Sequence, residues 1–296
     1  MSAASSAAVP GGPRLAHGPS ALQLEREDYR RSRSRRSTAV ALASTVVFAV
    51  VVWFGITHSP GWPRVKQSFL SWPVAKESFV PVLEGLWLNV RVLVVSELCI
   101  LAVGLLVAFA RTLRAPVFFP LRLLATIYTD FFRGMPLIIL LYIVGFGLPG
   151  LRLSGVPTSP VVLGTIALVL CYGAYVAEVF RAGIEGVHPS QRAAARSLGL
   201  SYAQSMRVVV LPQAVRRVLP PLLNDFVALQ KDVGLISVLG AVDAVRAAQI
   251  ESAQAASFTP YVVAGLLFVC LAVPTARLAD RVARRRESRE RAGAVL

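Results

Sequence analysis

Residues 181–212 read RAGIEGVHPSQRAAARSLGLSYAQSMRVVVLP, and the way this segment divides governs how the rest of the chain is arranged. Pro189 suits the first turn of a helix, where a missing N–H costs nothing. Gly199 supplies the left-handed residue that ends such a helix. Ser201 and Gln204 have the spacing of a capping box, so a second helix starts at once, and Pro212 is expected to close it. On the first helix Gln191, Ala194, Ala195 and Leu198 share one face, nearly bare of side chain, which lets another protein surface approach the backbone. Arg192 and Arg196 lie on a neighbouring face. By spacing alone, a helix resting on lipid headgroups fits as well.

The sequence on either side is too apolar for an ordinary soluble domain. Hydrophobic residues make up 55% of the 296 and charged residues only 16%, with a mean hydropathy of +0.62. Apolar runs approach the roughly 20 residues that cross a bilayer. They predict spans at about 39–56, 85–110, 122–147, 160–180, 220–240 and 259–278. Phe131, Phe132, Arg133, Gly134 and Pro136 interrupt the third, and Pro220 and Pro221 open the fifth. The net charge of +15 invites a nucleic-acid reading, but the basic residues alternate with the spans. Segments on one side, 181–217 and both ends among them, hold 23 Lys and Arg, against five on the other side. That imbalance puts both termini and residues 181–212 in the cytoplasm.

Residues 1–38 are rich in Ala, Ser, Gly, Pro and Arg and are expected to be a disordered basic tail. Residues 39–57 read as an uncleaved anchor, because His58-Ser59-Pro60 offers no small-residue cleavage site. Residues 58–84, with Pro60, Pro63, Pro73, Pro81, Trp62 and Trp72, read as a loop outside the membrane, and 285–296 as a second basic tail. Cys99, Cys171 and Cys270 all fall in apolar runs without metal-like or disulfide spacing.

Charged groups at membrane depth need a partner or an aqueous path. The fifth span carries Asn224 and Lys231 on one stripe and Asp225 and Asp232 on the next. Glu97 sits in the second span, and Glu178 lies near the inner end of the fourth beside Tyr175. These residues are candidates either for lining a pathway or for structural ion pairs between helices. There is no phosphate-binding G-x-x-x-x-G-K-[ST] segment, no H-E-x-x-H or other metal-ligand pattern and no G-x-S-x-G elbow. The chain therefore reads as a non-catalytic protein without cofactor or metal.

The ordered series Gln191, Ala194, Ala195, Leu198, Gly199, Leu211, Pro212 resembles the EAA loop of ABC-importer permeases of the polar amino-acid, histidine/glutamine type. The likeness extends upstream through Arg133, Gly134, Pro136, Tyr175, Glu178 and Arg181, and downstream through Gln213, Asn224, Lys231, Asp232 and Gly240. It covers residues 85–284, which become the permease domain. Two positions depart from the pattern: Ala193 stands where the EAA glutamate belongs, and Ser190 where a glycine precedes the glutamine. The resemblance implies an all-α membrane protein, five core helices plus the anchor, in a bacterial plasma membrane. It also implies ABC ATPase subunits gripping residues 190–199, with Arg192 or Arg196 offering them a polar contact in place of the glutamate. A binding protein would deliver a polar amino acid, and a second permease chain, identical or related, would complete the pathway. A secondary transporter or channel without an ATPase is the alternative, and a membrane anchor or sensor a third.

Overall fold

The computed structural model describes residues 21–113 and 115–293, and all regular structure among them is helical. Ten helices follow in order: α1 Ala21–Thr57, α2 Trp62–Phe69, α3 Trp72–Thr112, α4 Phe119–Gly134, α5 Leu137–Gly150, α6 Pro160–Glu185, α7 Pro189–Ser197, α8 Tyr202–Leu239, α9 Ala244–Ala255 and α10 Thr259–Gly293. Four stretches are long and apolar enough to cross a membrane: Ser37–Thr57, Trp62–Thr112, Pro160–Glu185 and Thr259–Arg284. The bent pairs α4–α5, at 107°, and α8–α9, at 54°, bring the number to six if each is one span. That agrees with the hydropathy reading.

The chain divides after Arg64. In the first unit α1 begins at Ala21, so the tail expected to be disordered to residue 38 is helical over its second half. Ala, Leu, Gln, Glu and Arg dominate residues 21–31, and all favour helix over coil. The rest of that tail, residues 1–20, and the last three residues lie outside the described residues, as does Arg114.

In the second unit the expected loop 58–84 is corrected. From Trp72 it is the first third of α3, a single helix of 41 residues, about 60 Å long and twice the bilayer core. Its prolines are compatible with this, since Pro73 occupies the first turn and Pro81 removes only one backbone bond. The segment also packs as part of the body. The Ser68 carbonyl accepts from Phe258 N (2.7 Å) and Ser257 Oγ (2.9 Å), and Val82 and Leu86 join the alanines of α9 in one buried cluster.

The main core lies where α3, α6 and α8 meet, around Val92, Ile100, Leu168, Val176, Leu229 and Ile236. Small residues let these helices close without hydrophobic pressure from water. A Cβ on Gly104 would stand 2.6 Å from Val176 Cγ1, so the α3–α6 crossing tolerates nothing larger. A second cluster joins α5, α6 and the end of α8 through Leu141, Val144, Leu163 and Leu239.

Proline behaves in two ways here. At the expected interruption, Pro136 forces Met135 into an extended conformation (φ −95°, ψ 129°) and the chain turns sharply. Pro212 was expected to end a helix and does not. A π turn over Met206–Val210 widens the backbone just before it, and the Gln213 side chain donates to the Val209 carbonyl (3.0 Å). Pro220 and Pro221 likewise lie inside α8 and do not open it. Helix α9 lies between the fifth and sixth predicted spans. It is capped by Asp243 and closed by Ala256 at φ 46°.

Candidate functional site

Three clusters of polar side chains stand out, and the short helix α7 leads to the first. His188 caps it, its Nδ1 accepting from Ser190 N at 3.2 Å. Gly199 at φ 77° ends it, with Gly199 N on the Arg196 carbonyl and Leu200 N on the Ala195 carbonyl. The expected capping box follows, Ser201 N donating to Gln204 Oε1 (2.9 Å) and Gln204 N to Ser201 Oγ (3.3 Å). Two guanidiniums fasten this unit to the bundle. Arg192 donates to the Ile184 carbonyl at the end of α6, and Arg217 of α8 donates to the Gly186 carbonyl.

The four residues placed on one bare face are divided by the fold. Ala195 is buried at 3% exposure, whereas Gln191 and Ala194 are exposed and Leu198 projects at 80% exposure. The two arginines also part company. Arg192 is bound to its own chain, while the Arg196 side chain is exposed and makes no hydrogen bond or ion pair with any described residue. Ser190 is exposed at the start of the helix. Beneath α7 a cavity of about 410 Å³ runs between Glu185, Arg196, Tyr202 and Met206. The outer surface of α7 thus offers backbone, one apolar knob and one cation.

The second cluster centres on Glu178. Its Oε2 accepts from Arg111 Nη1 at 2.8 Å and lies 3.9 Å from Arg133 Nη1, while Oε1 is held by Arg181. Arg111 also donates to the fully buried Thr129 Oγ1 (3.0 Å), and Arg181 reaches on to Glu185. Tyr175 Oη donates to the Arg133 carbonyl (3.1 Å), and the Arg133 guanidinium lies over the Tyr175 ring at 5.8 Å. The ends of α3, α4 and α6 are therefore tied through one carboxylate. Both of its oxygens are committed to guanidinium groups. Arg181 lies one turn from both Glu178 and Glu185 on α6, whereas Arg111 and Arg133 converge on the carboxylate from α3 and α4.

The candidates of the fifth span separate by stripe. Asn224 and Lys231 are exposed, while Asp232 turns inward and accepts from Tyr172 Oη at 2.7 Å. Asp225 Oδ2 is buried without a hydrogen-bond partner among the described residues, and Glu97 of α3 lies within electrostatic range of it.

The third cluster was not found from sequence. Asn89 is fully buried in α3; its Nδ2 donates to Asp243 Oδ2 (2.9 Å) and the Val233 carbonyl (3.2 Å), and its Oδ1 accepts from Ala244 N (3.0 Å). Asp243, also fully buried, accepts Arg246 N at 2.9 Å through Oδ1. The only warning in the sequence was an aspartate three residues before Arg246 in a helix-forming run. Among the described residues no group of three His, Cys, Asp or Glu is placed to hold a metal.

Comparison with known proteins gives a consistent picture. The sequence profile of the binding-protein-dependent transport system inner membrane component family matches residues 100–288. The probable glutamine ABC transporter permease of Bacillus subtilis (strain 168) is 34% identical over 201 residues, 67% of this chain and 89% of that protein. The arginine transport system permease of the same organism is 32% identical over 210 residues, covering 71% and 94%. A crystal structure of an amino acid ABC transporter superposes with a TM-score of 0.64 at 30% identity, covering 69% of this chain and 94% of the other. A methionine ABC transporter in inward-facing conformations shares the fold, with a TM-score of 0.53 at 21% identity over 69% and 95%.

Proposed function

The chain belongs to the family of binding-protein-dependent transport system inner membrane components, and from that premise we propose how its parts divide the work. It is the permease subunit of an ABC importer for polar amino acids, a multi-pass plasma-membrane protein and a non-catalytic partner in the assembly. Separate ATPase subunits supply the hydrolysis and grip the chain at α7. An extracellular binding protein delivers the amino acid. Both termini and α7 lie in the cytoplasm, as the 23-to-five imbalance of basic residues supports.

The observation that carries the coupling role is the build of α7. A nine-residue helix that protrudes from a bundle would fray alone, yet this one is capped at both ends and bolted to α6 through Arg192. Its exposed surface presents Leu198 and the small Ala194 to a partner. A rigid knob of this kind transmits a push from a moving ATPase to α6 and α8 as a rigid-body motion. One such helix per chain implies two permease chains in the assembly, identical or related.

The polar residues within the bundle share the substrate's path differently from the first expectation. Glu178 acts as a positioning residue that closes the inner ends of α3, α4 and α6, and Glu97, Asp225, Asn224, Lys231 and Tyr175 remain the candidates for contact with a polar amino acid. The test is uptake by the purified importer in vesicles. Ala194→Trp should leave the complex folded and abolish most ATP-driven uptake; normal uptake would remove α7 from the coupling path.

A further inference from the structure

We propose that the groove between α3 and the start of α6 seats an anionic phospholipid, with its phosphate on Arg91 and an acyl chain between the two helices. The inference rests on the membrane setting of the proposed function and on no particular substrate or partner.

Arg91 and Arg111 lie twenty residues apart on one continuous helix. At a rise of 1.5 Å per residue they are about 30 Å apart, the thickness of the hydrocarbon core. Arg111 marks the end tied to Glu178, so Arg91 stands at the opposite headgroup boundary. Trp87, exposed one turn before Arg91 on the same face, is the residue type that settles at such a boundary. The two arginines differ in their partners. Arg111 is bound to Glu178 and Thr129, whereas Arg91 is exposed and forms no ion pair or hydrogen bond with any described residue.

Below Arg91 a cleft of about 380 Å³ opens between the helices. Its walls are Leu88, Val92, Val95, Val161, Val162 and Ile166, and the one hydroxyl among its lining residues, Thr165 Oγ1, is already spent on the Val161 carbonyl (2.8 Å). Nothing polar is left there to bind an amino acid, but a hydrocarbon chain fits. The rim adds a second positive element. Helix α6 starts at Pro160, and Ser159 makes no side-chain cap. The first-turn N–H groups of Val161 and Val162, which line the groove together with Arg91, are therefore left without a side-chain cap. An uncapped helix N-terminus and a guanidinium form a phosphate seat. On its other side Arg91 borders a cleft with Glu84 and Glu251, and it pairs with neither. Of its two neighbours, only the apolar groove offers the combination a phospholipid needs.

The experiment uses the purified importer complex, equilibrated in vesicles of equal phosphatidylglycerol and phosphatidylethanolamine, extracted in mild detergent and weighed by native mass spectrometry. The wild-type complex should retain phosphatidylglycerol preferentially, one per permease chain. Arg91→Gln should lower that retention roughly ten-fold, the weight of one charge-assisted contact. Arg91→Lys should restore most of it, and Val95→Trp should abolish it by filling the groove while the charge remains. Equal retention by wild type and Arg91→Gln would overturn the proposal. So would efficient disulfide formation between two copies carrying Val95→Cys, which would place a second permease chain in the groove. A raised KM for the amino acid in Arg91→Gln at unchanged lipid content would also overturn it, by assigning the arginine to the substrate.

Discussion

Two ends of the membrane-spanning part of α3, at Asn89 and at Arg111, are built on opposite principles. At one end Asn89 and Asp243 are fully buried, held only by hydrogen bonds to each other and to backbone. At the other, Glu178 gathers Arg111, Arg133 and Arg181 in a half-exposed ionic knot. A dry, fully satisfied network resists any rearrangement, because each broken bond strands a buried polar group. An ionic knot with water at its edge exchanges partners at small cost. A transporter that rocks its helices needs one fixed joint and one releasable end. The first cluster fits the joint and the second the release.

The largest expected effect is at the joint. A Cβ on Gly85 would stand 2.5 Å from the Asp243 backbone carbon, and backbone cannot move aside as a side chain does. Gly85→Val should cost about 3 kcal/mol or more and show as a large fall in melting temperature of the detergent-solubilised protein. Asn89→Ala should follow closely, at about 2–4 kcal/mol, since it leaves Asp243 Oδ2 and the Ala244 N–H without partners. If Asn89→Ala melts like wild type, the joint is not what holds α9 in place.

Glu178→Gln should cost less, about 1–3 kcal/mol, because Arg111 keeps Thr129 and Arg181 keeps Glu185. Its effect should also depend on salt. In 1 M salt the Debye length is about 3 Å, so the gap between Glu178→Gln and wild type should narrow, while the Asn89→Ala gap stays constant. Equal salt sensitivity at the two ends would erase the distinction between them. Arg196→Ala should be smallest in stability, within about 0.5 kcal/mol, because the side chain is exposed and forms no hydrogen bond or ion pair with any described residue. Its consequence should appear only in weaker ATPase co-purification.

What could be read from the sequence follows from which signals are local. Pro189, Gly199 and the Ser201–Gln204 pair act over one turn, so α7 and its caps were legible residue by residue. The number of spans was legible because hydropathy needs no partner. What failed depended on distant neighbours. Pro212 looked like a stop because nothing in the sequence announces the π turn that absorbs it. Residues 58–84 looked like a loop because Val82 and Leu86 find their apolar partners in α9 and α10, far along the chain. Glu178 was legible as a candidate but its partners were not, since two of the arginines around it come from 67 and 45 residues upstream. Arg192 and Arg196 are equivalent on a helical wheel and differ only because the Ile184 carbonyl lies beside one of them.

The central claim is that the exposed face of α7 transmits ATPase motion to the bundle and adds nothing to the permease's own stability. It is tested most directly by measuring amino-acid uptake and ATP hydrolysis together on vesicles containing the complete importer, with Ala194→Trp and Leu198→Glu compared to wild type. Both residues are exposed in the permease, so its melting temperature should be unchanged. Uptake should fall at least about ten-fold, the effect of losing about 1.4 kcal/mol of coupling, with hydrolysis no longer stimulated by the loaded binding protein. Wild-type uptake at wild-type stimulation in both variants would contradict the account.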